Sequence, residues 1–269
     1  MGGEALLLEI GGGVARIRFN RPDTGNALNA QAASLLSTFI DTIEADPGVR
    51  VVVLSAAGKH FCAGGDITEF LAAGDDLARL IADELVALNA TLLRIAALPI
   101  PVVTALNGPV AGGGIGLALS ADILVAAESA RFRSGYSAIG LSPDAGTSFY
   151  LVRALGATRA KELMFLNRSL PAREALAAGL VNRVVPDADL ERATEEIVAE
   201  LLALPAGSLA AIKTLVREES DGLLERSLAR ERELMVRNAE DADVREGIAA
   251  FRDRRAPRFG EQTALGTRG

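Results

Sequence analysis

Cysteine and histidine are almost absent from this 269-residue chain, which has one of each. The single thiol, Cys62, has no second cysteine with which to form an internal disulfide. A structural zinc site takes about four cysteine or histidine ligands, and a Ser-His-Asp triad requires a histidine beside the serine. Because Cys62 and His60 are all that the chain offers, we expect neither a metal site nor such a triad.

An excess of positive charge and a long apolar run are also missing. The formal net charge is -7, so the chain lacks the basic face that nucleic-acid binding requires. No apolar run reaches the roughly 20 residues that cross a bilayer, and the first residues lack the basic-then-apolar pattern of a signal peptide. We therefore expect a cytoplasmic protein that binds neither nucleic acid nor membrane.

The residues that are present predict an α/β fold. Hydrophobic residues make up 49% of the chain, which is enough for one large domain or for a domain with an appendage. Three glycines join two β-rich runs near the start of the chain, a pattern typical of a hairpin. Strands are predicted over 6–10, 14–19, 49–54, 102–106 and 123–126, and helices over 29–45 and 77–98. Strands that alternate with helices indicate a substantially parallel sheet.

From about residue 205 the sequence becomes strongly charged and helical. Helices are predicted over 208–218, 222–238 and 244–254, each with apolar residues on one side. We divide the chain into an α/β core, residues 1–204, and a C-terminal helical region, residues 205–269. The apolar side of that region either packs on its own core or forms a subunit interface, and both interpretations remain open.

A glycine-rich stretch between Ala105 and Asp122 is the most informative part of the chain. A buried strand there crosses three glycines, residues 112–114, and enters an apolar helix. Glycines at a helix N-terminus leave unpaired N–H groups accessible, so an anionic atom can approach the backbone closely. The spacing matches neither a phosphate loop nor a dinucleotide fingerprint. The functional interpretation is an oxyanion site, and the structural alternative is close helix–strand packing.

A second glycine-containing loop, residues 55–67, follows the predicted strand 49–54. It lies beyond the carboxyl end of that strand, where open α/β sheets bind ligands. If the two loops meet, each can donate one N–H group to a single oxygen. Paired donors of this kind stabilise a transition state by several kcal/mol.

These motifs resemble the enoyl-CoA hydratase/isomerase, or crotonase, superfamily. The resemblance rests on Phe61-Cys-Ala-Gly-Gly-Asp-Ile67, Asn107-Gly-x-x-x-Gly-Gly-Gly114 and Ala121-Asp122, with shorter matches along nearly the whole chain. It implies a crotonase-like spiral of ββα units with a C-terminal helical trimerisation region. It also implies a homotrimer or a dimer of trimers. The implied substrate is an acyl-CoA thioester, and no separate cofactor is expected because coenzyme A is part of that substrate.

The resemblance also implies which residues form the site. The N–H groups of Gly65 and Gly113 would form an oxyanion hole for the thioester oxygen. The path of the adenine and pantetheine groups would be lined by Ala63, Gly64, Gly65, Asp66 and Ile67. For Asp66, a helix N-cap is the structural alternative.

Two positions depart from the pattern of the hydratases. Gly116 and Tyr136 stand where hydratases of the family have two glutamates, and we expect both residues to border the substrate. Tyr136 either hydrogen-bonds a substrate group or forms a wall of the acyl pocket. Neither a glycine nor a neutral tyrosine replaces the acid pair that water addition requires, so ordinary hydration is disfavoured.

Asp144 is the acid that remains well placed. The pair Pro143-Asp144 resembles several isomerases of the superfamily, including the ring-epoxide isomerase of bacterial phenylacetate degradation. Asp144 also precedes a helix predicted over 146–155, so it is interpreted as a proton shuttle, as a helix N-cap, or as both. Halobenzoyl-CoA dehalogenases have a nucleophilic aspartate here, but also a tryptophan and a helical histidine that this chain lacks.

We therefore predict an acyl-CoA isomerase in which Asp144 moves a proton while Gly65 and Gly113 hold the enolate oxygen. One alternative is a hydratase-like enzyme that uses Asp144 and a bound water. An alternative of another class is a non-catalytic acyl-CoA binder, which the missing glutamates favour. His60 is interpreted as a surface loop residue and Cys62 as a small buried thiol.

Overall fold

The computed structural model of the protein describes residues 4–220 and 222–260. The strands in that part of the chain are β1 (Leu6–Gly11), β2 (Val14–Phe19), β3 (Val51–Ala56), β4 (Val102–Leu106), β5 (Val110–Ala111), β6 (Ile123–Ala127), β7 (Arg131–Arg133), β8 (Ser169–Pro171) and β9 (Arg183–Val185). The helices are α1 (Ala30–Ala45), α2 (Ile67–Ala73), α3 (Leu77–Ala97), α4 (Gly113–Leu119), α5 (Thr147–Phe165), α6 (Ala172–Ala177), α7 (Leu190–Leu202), α8 (Ala206–Glu218), α9 (Leu223–Ala239) and α10 (Ala242–Arg252).

A six-stranded sheet in the order β1-β2-β3-β4-β6-β9 forms the centre of the fold. β1 pairs with β2 in antiparallel fashion, and every later neighbour in this sheet is parallel. A second sheet, in the order β5-β7-β8, lies beside the glycine-rich stretch. The predicted α/β class with a largely parallel sheet is confirmed.

Both faces of the six-stranded sheet are covered, as strands with few polar residues require. Side chains of β3 alternate between the two faces: Val52 and Leu54 join the large core formed with α1, α3 and α4. Val51 and Val53 join a smaller core that α7 covers with residues such as Ile197. Because the sheet is buried, its strands fix the positions of the loops that follow their carboxyl ends.

The element bounds differ from the predicted ones by a few residues. α1 begins at Ala30 because the side chain of Asn29 accepts a hydrogen bond from the Ala32 N–H at 2.9 Å. The strand predicted to begin at Val49 begins at Val51, because the Val49 N–H closes a turn onto the Asp46 carbonyl. Caps and turns therefore shorten both elements at their starts.

The C-terminal helices divide into a packed part and an exposed part. α9 packs along α3 with Leu228 and Met235 buried, which supports the interpretation of packing on its own core. α8 buries none of its residues, and three large apolar side chains are exposed: Ile212, Leu215 and Val216. The domain division at residue 205 stays a prediction, and residues 261–269 of that region lie outside the described residues, as do residues 1–3.

Across the described ranges, no single helix is long and apolar enough to cross a membrane. The helix pair Asp187–Leu202 and Ala206–Glu218 meets the same length and composition requirements only when taken together, across a bend of 105°.

Candidate active site

The two glycine-containing loops meet at the carboxyl ends of β3 and β4. The Phe61 N–H donates to the Pro109 carbonyl at 3.0 Å, and the Ala111 N–H donates to the Cys62 carbonyl at 2.9 Å. This short stretch of strand-like pairing fixes one loop against the other. The expectation that the loops meet is confirmed.

Glycines allow this contact because a Cβ atom does not fit between the two loops. A Cβ on Gly112 would lie 3.3 Å from the Cα of Gly64, and both residues have positive φ angles, of 51° and 94°. A Cβ on Gly114 would lie 2.7 Å from the sulfur of Cys62. The glycines thus allow the close packing that was the structural alternative. They also bring two backbone segments together.

The N–H groups of Gly65 and Gly113 have no hydrogen-bond acceptor within the described ranges. Gly113 is the first residue of α4, where helix geometry leaves the N–H group without an intrahelical partner. On either side of Gly65, the Leu28 N–H bonds the Gly64 carbonyl and the Asp66 N–H bonds the Leu28 carbonyl, so the Gly65 N–H points away from that pairing. Both free donors border one cavity.

The cavity is mostly apolar and has two carboxyl groups in its wall. The residues that border it include Gly65 and Gly113, which carry the free N–H groups, and the two acids Glu84 and Asp144. Apolar side chains from α1, α2, α3 and α9 enclose the rest, among them Phe70, Ile81, Leu85, Leu88 and Met235. A concave apolar site with a few convergent polar groups is typical of a small-molecule pocket.

Asp144 lies directly beside the first helical residue of α4. A Cβ on Gly113 would be 2.8 Å from Oδ1 of Asp144, so the carboxyl group is next to a free N–H donor. Burial raises the pKa of Asp144 to about 7, the hydrogen bond from Tyr136 lowers it, and the negative charge of Glu231 raises it. A carboxyl group with a pKa near neutrality can both take up and release a proton.

The interpretation of Asp144 as a helix N-cap is wrong. α5 begins at Thr147 with Gly146 at the N-cap position, and the Asp144 side chain does not accept from its first N–H groups. Only the backbone carbonyl of Asp144 contributes to the helix start, as it accepts from the Thr147 N–H at 2.9 Å. The carboxyl group is left for the cavity.

Tyr136 holds Asp144 through its hydroxyl group, and its predicted contact with substrate stays a prediction. Its hydroxyl donates to Oδ1 of Asp144 at 2.6 Å and lies 3.2 Å from the hydroxyl of Thr147. Tyr136 is buried, and it is not among the residues that border the cavity. Burial, followed by the charge of Asp144, raises the pKa of Tyr136 well above its usual value, so it remains a donor.

Gly116 is also not among the residues that border the cavity, and its predicted contact with substrate stays a prediction. A Cβ there would lie 1.9 Å from the carbonyl oxygen of Ala145 and 3.1 Å from the nitrogen of Thr147. The backbone next to Asp144 therefore occupies the space that a larger residue at position 116 would need. Glycine at this position allows the loop that carries Asp144 to lie close against α4.

A residue that the sequence did not indicate, Glu231 of α9, fixes the start of α5. Its carboxylate accepts from the N–H groups of Gly146 and Ser148 at 2.7 and 2.9 Å, and from the Ser148 hydroxyl. Glu231 is 85 residues from Gly146, so sequence spacing gave no indication of the contact. The segment that carries Asp144 is thus held by Tyr136 from one side and by Glu231 from another.

The segment predicted to follow the adenine and pantetheine path begins at the surface. Ala63 is exposed, whereas Gly64 is buried and Ile67 is half-buried. Asp66 caps α2 by accepting from the Thr68 N–H at 3.0 Å, and its other oxygen pairs with Arg21 at 2.8 Å. The helix-cap interpretation of Asp66 is confirmed, and each of its carboxylate oxygens has a partner in the protein.

His60 and Cys62 lie where the sequence predicted, the first at the surface and the second in the core. His60 is exposed. Its carbonyl and that of Ala57 accept from the side-chain amide of Asn26, which holds the loop after β3 in place. Cys62 is fully buried, and burial raises its pKa to about 12, so the thiol is protonated and unreactive.

Comparison with known proteins gives a consistent result. Residues 9–262 match the family described as Enoyl-CoA hydratase/isomerase. The chain is 35% identical to a probable enoyl-CoA hydratase of Rhodobacter capsulatus, over 94% of this chain and 97% of the relative. It is 33% identical to a 1,2-epoxyphenylacetyl-CoA isomerase of Escherichia coli, over 95% and 98% of the two chains. A crystal structure of an enoyl-CoA hydratase from Mycobacterium avium subsp. paratuberculosis superposes with a TM-score of 0.87 at 33% identity, covering 96% of this chain and 99% of that one.

Proposed function

The chain belongs to the enoyl-CoA hydratase/isomerase family and has its crotonase-like α/β fold, and on that premise we propose that it is an acyl-CoA isomerase. The reaction would shift a carbon–carbon double bond through the enolate of a coenzyme A thioester. The observation that carries the proposal is the position of Asp144: a half-buried carboxyl group, whose pKa its surroundings raise to about 7, lies beside the free N–H donor of Gly113.

The two free N–H groups supply the electrostatic part of this mechanism. The thioester oxygen would accept hydrogen bonds from Gly65 and Gly113, and negative charge would develop on that oxygen as the enolate forms. Preorganised donors stabilise such charge most strongly where water is excluded. In this cavity the surrounding side chains are mainly apolar, which strengthens both hydrogen bonds.

Asp144 would carry out the proton transfer. Its carboxylate takes a proton from the carbon next to the thioester, or from the γ carbon, and the bond electrons enter the conjugated enolate. Protonation at the other carbon completes the shift of the double bond. A pKa near neutrality suits this role, because the same group must be a base in one step and an acid in the other.

Water addition fits the site less well than isomerisation. Gly116 has no side chain and faces the Ala145 carbonyl, and the Tyr136 hydroxyl is bound to Asp144. Neither residue can activate a water molecule. The hydratase-like reaction and non-catalytic binding of acyl-CoA are the alternatives that the experiment below tests.

We also propose that the chain assembles as a homotrimer or as a dimer of trimers. Support comes from α8, whose Ile212, Leu215 and Val216 are more than half exposed, at 56%, 63% and 67%. Three neighbouring apolar side chains on one short helix form a surface of the kind that protein interfaces cover.

Incubating the protein separately with a 3-enoyl-CoA and a 2-enoyl-CoA tests the function. We expect the 3-enoyl-CoA to be converted into its 2-enoyl isomer, with little 3-hydroxyacyl-CoA formed from either substrate. Hydration as fast as isomerisation would identify a hydratase. Calorimetric binding of both thioesters without turnover would identify a binder.

A further inference from the structure

A second carboxyl group, that of Glu84, borders the same cavity as Asp144. Glu84 lies on α3, on the face that also carries Ile81, Leu85 and Leu88 into the cavity wall. Of these four positions on one face of α3, all except Glu84 are apolar. Apolar residues at this spacing are typical of a helix face that packs on a core. A glutamate on that face is a departure from the pattern, because the burial of an acid costs free energy unless the acid is paired.

Glu84 shares a side-chain hydrogen bond with Glu69, another acid, and no basic group of the described residues forms an ion pair with it. Its Oε1 atom is buried and makes no hydrogen bond within the described ranges. The charged groups that act on it, Glu69, Asp66 and Asp144, are all acidic. One of these acids, Asp66, is itself paired with Arg21 at 2.8 Å.

Those surroundings keep Glu84 protonated at neutral pH. Burial raises its pKa to about 8, and the neighbouring carboxylate of Glu69 adds to that effect. The hydrogen bond with Glu69 thus favours the protonated form of Glu84, whereas the hydrogen bond from Tyr136 favours the ionised form of Asp144. Two carboxyl groups at one cavity with opposite tendencies suit a separate acid and base.

We propose that Glu84 is the catalytic acid that protonates the far carbon of the enolate, with Asp144 acting as the base. The inference rests on the proposed isomerisation and assigns its second proton transfer to a different residue. It replaces a single-acid shuttle with a two-acid relay across the cavity.

The substrate of the relay is a 3-enoyl-CoA. Asp144 takes a proton from C2, and the C–H electrons form the dienolate whose oxygen is bound by Gly65 and Gly113. The Glu84 O–H bond then breaks, its proton forms a new bond to C4, and the electrons of the dienolate reform the thioester carbonyl. Asp144 is left protonated and Glu84 ionised, and exchange of protons with solvent restores both.

The relay is tested first by isotope transfer. With a 3-enoyl-CoA that carries deuterium at C2, turnover in ordinary water should give a 2-enoyl-CoA with no deuterium at C4, because that proton comes from Glu84. Deuterium found at C4 would show that one acid carries the proton between the two carbons and would overturn the proposal.

Glu84→Gln is tested next, because it keeps the shape of the side chain and removes the acid. We expect kcat to fall by about 100-fold or more, as is typical when a general acid is lost. Asp83→Asn is the matched control: it neutralises the adjacent residue of α3, which is exposed and lies 3.9 Å from Arg79. It should stay within about twofold of the original activity, as expected for an exposed weak pair. Equal rates for Glu84→Gln and the control would overturn the relay.

The dependence of kcat/KM on pH distinguishes a catalytic role of Glu84 from a purely structural one. In the unaltered protein kcat/KM should rise as Asp144 ionises and fall above about pH 8 as Glu84 loses its proton. Glu69→Gln removes a charge that raises the Glu84 pKa, so the falling limb should move to lower pH. An unmoved limb would contradict the assignment. Absence of isomerisation by the unaltered protein would instead reject the proposed function itself.

Discussion

Asp144 is acted on by neighbours with opposite effects on its pKa. Burial raises that pKa, the hydrogen bond from Tyr136 lowers it, and the charge of Glu231 raises it. The resulting pKa of about 7 depends in part on the Tyr136 hydroxyl group. From the sequence, we expected that hydroxyl group to contact the substrate. The sequence gives the position of Tyr136 along the chain. It does not give the direction of the hydroxyl group, which depends on the folded structure.

Tyr136→Phe tests this balance at the scale of one atom. Loss of the hydrogen bond removes a group that favours the ionised form, so the Asp144 pKa should rise. The acid limb of kcat/KM should then move to higher pH, and activity at pH 7 should fall by roughly tenfold. A pH–rate profile measures both effects.

Tyr150→Phe is the matched control for this change, since Tyr150 is the other tyrosine of the chain and makes no contact with Asp144. Its profile should superimpose on that of the unaltered protein. A profile for Tyr136→Phe that also stays in place would mean that the hydroxyl does not set the Asp144 pKa.

At the scale of the elements, most helices and strands could be predicted from the sequence. Alternating and helical apolar patterns specify β1, β2, α1 and α3 because local geometry determines which side chains face the core. The helix predicted over 146–155 continues to Phe165, past a break at Gly156, whose φ is 74°. A glycine with positive φ interrupts the helix without ending it, and the sequence alone does not separate these outcomes.

The contacts between elements could not be predicted in the same way. Glu231 and Glu84 lie on amphipathic helices among many charged residues, and nothing in their spacing separates them from solvent-exposed glutamates. Only the packing of α9 against α3 and α5 turns them toward the site. The two glycine-containing loops were predictable because glycine at a close approach is a local requirement.

Glu231→Gln tests the contact between α9 and the segment that carries Asp144. A neutral amide accepts more weakly from the N–H groups of Gly146 and Ser148, and its NH₂ group is mismatched with a donor. We expect a loss of about 1–3 kcal/mol in the free energy of unfolding. Loss of the negative charge should also lower the Asp144 pKa and move the acid limb to lower pH. Denaturant unfolding and a pH–rate profile measure the two effects.

Glu233→Gln provides the comparison on the same helix, because Glu233 is exposed and forms an ion pair with Arg230 at the surface. Its unfolding free energy should change by less than about 0.5 kcal/mol. If the two variants are equally stable and equally active, Glu231 does not hold the site.

At the scale of the whole molecule, the exposed apolar side chains of α8 favour an assembly. Each chain has a mass of 28.0 kDa, so a trimer or a hexamer is readily distinguished from a monomer by sedimentation. Leu215→Arg places a charge in the middle of this surface, and an unpaired charge in an interface is unfavourable. We expect the unaltered protein to sediment as a trimer or hexamer and the variant to dissociate with its circular dichroism unchanged. A monomeric unaltered protein, or an unaffected variant, would argue against α8 as an interface.

The central claim is that Asp144 forms a thioester enolate in this cavity. Its most direct test is the exchange of the C2 protons of a 3-enoyl-CoA with deuterium oxide, followed by nuclear magnetic resonance and compared between the unaltered protein and Asp144→Asn. The account predicts that the unaltered protein incorporates deuterium at C2 while it shifts the double bond, and that Asp144→Asn loses both activities by about 100-fold or more. Full exchange by the Asp144→Asn variant would contradict the account.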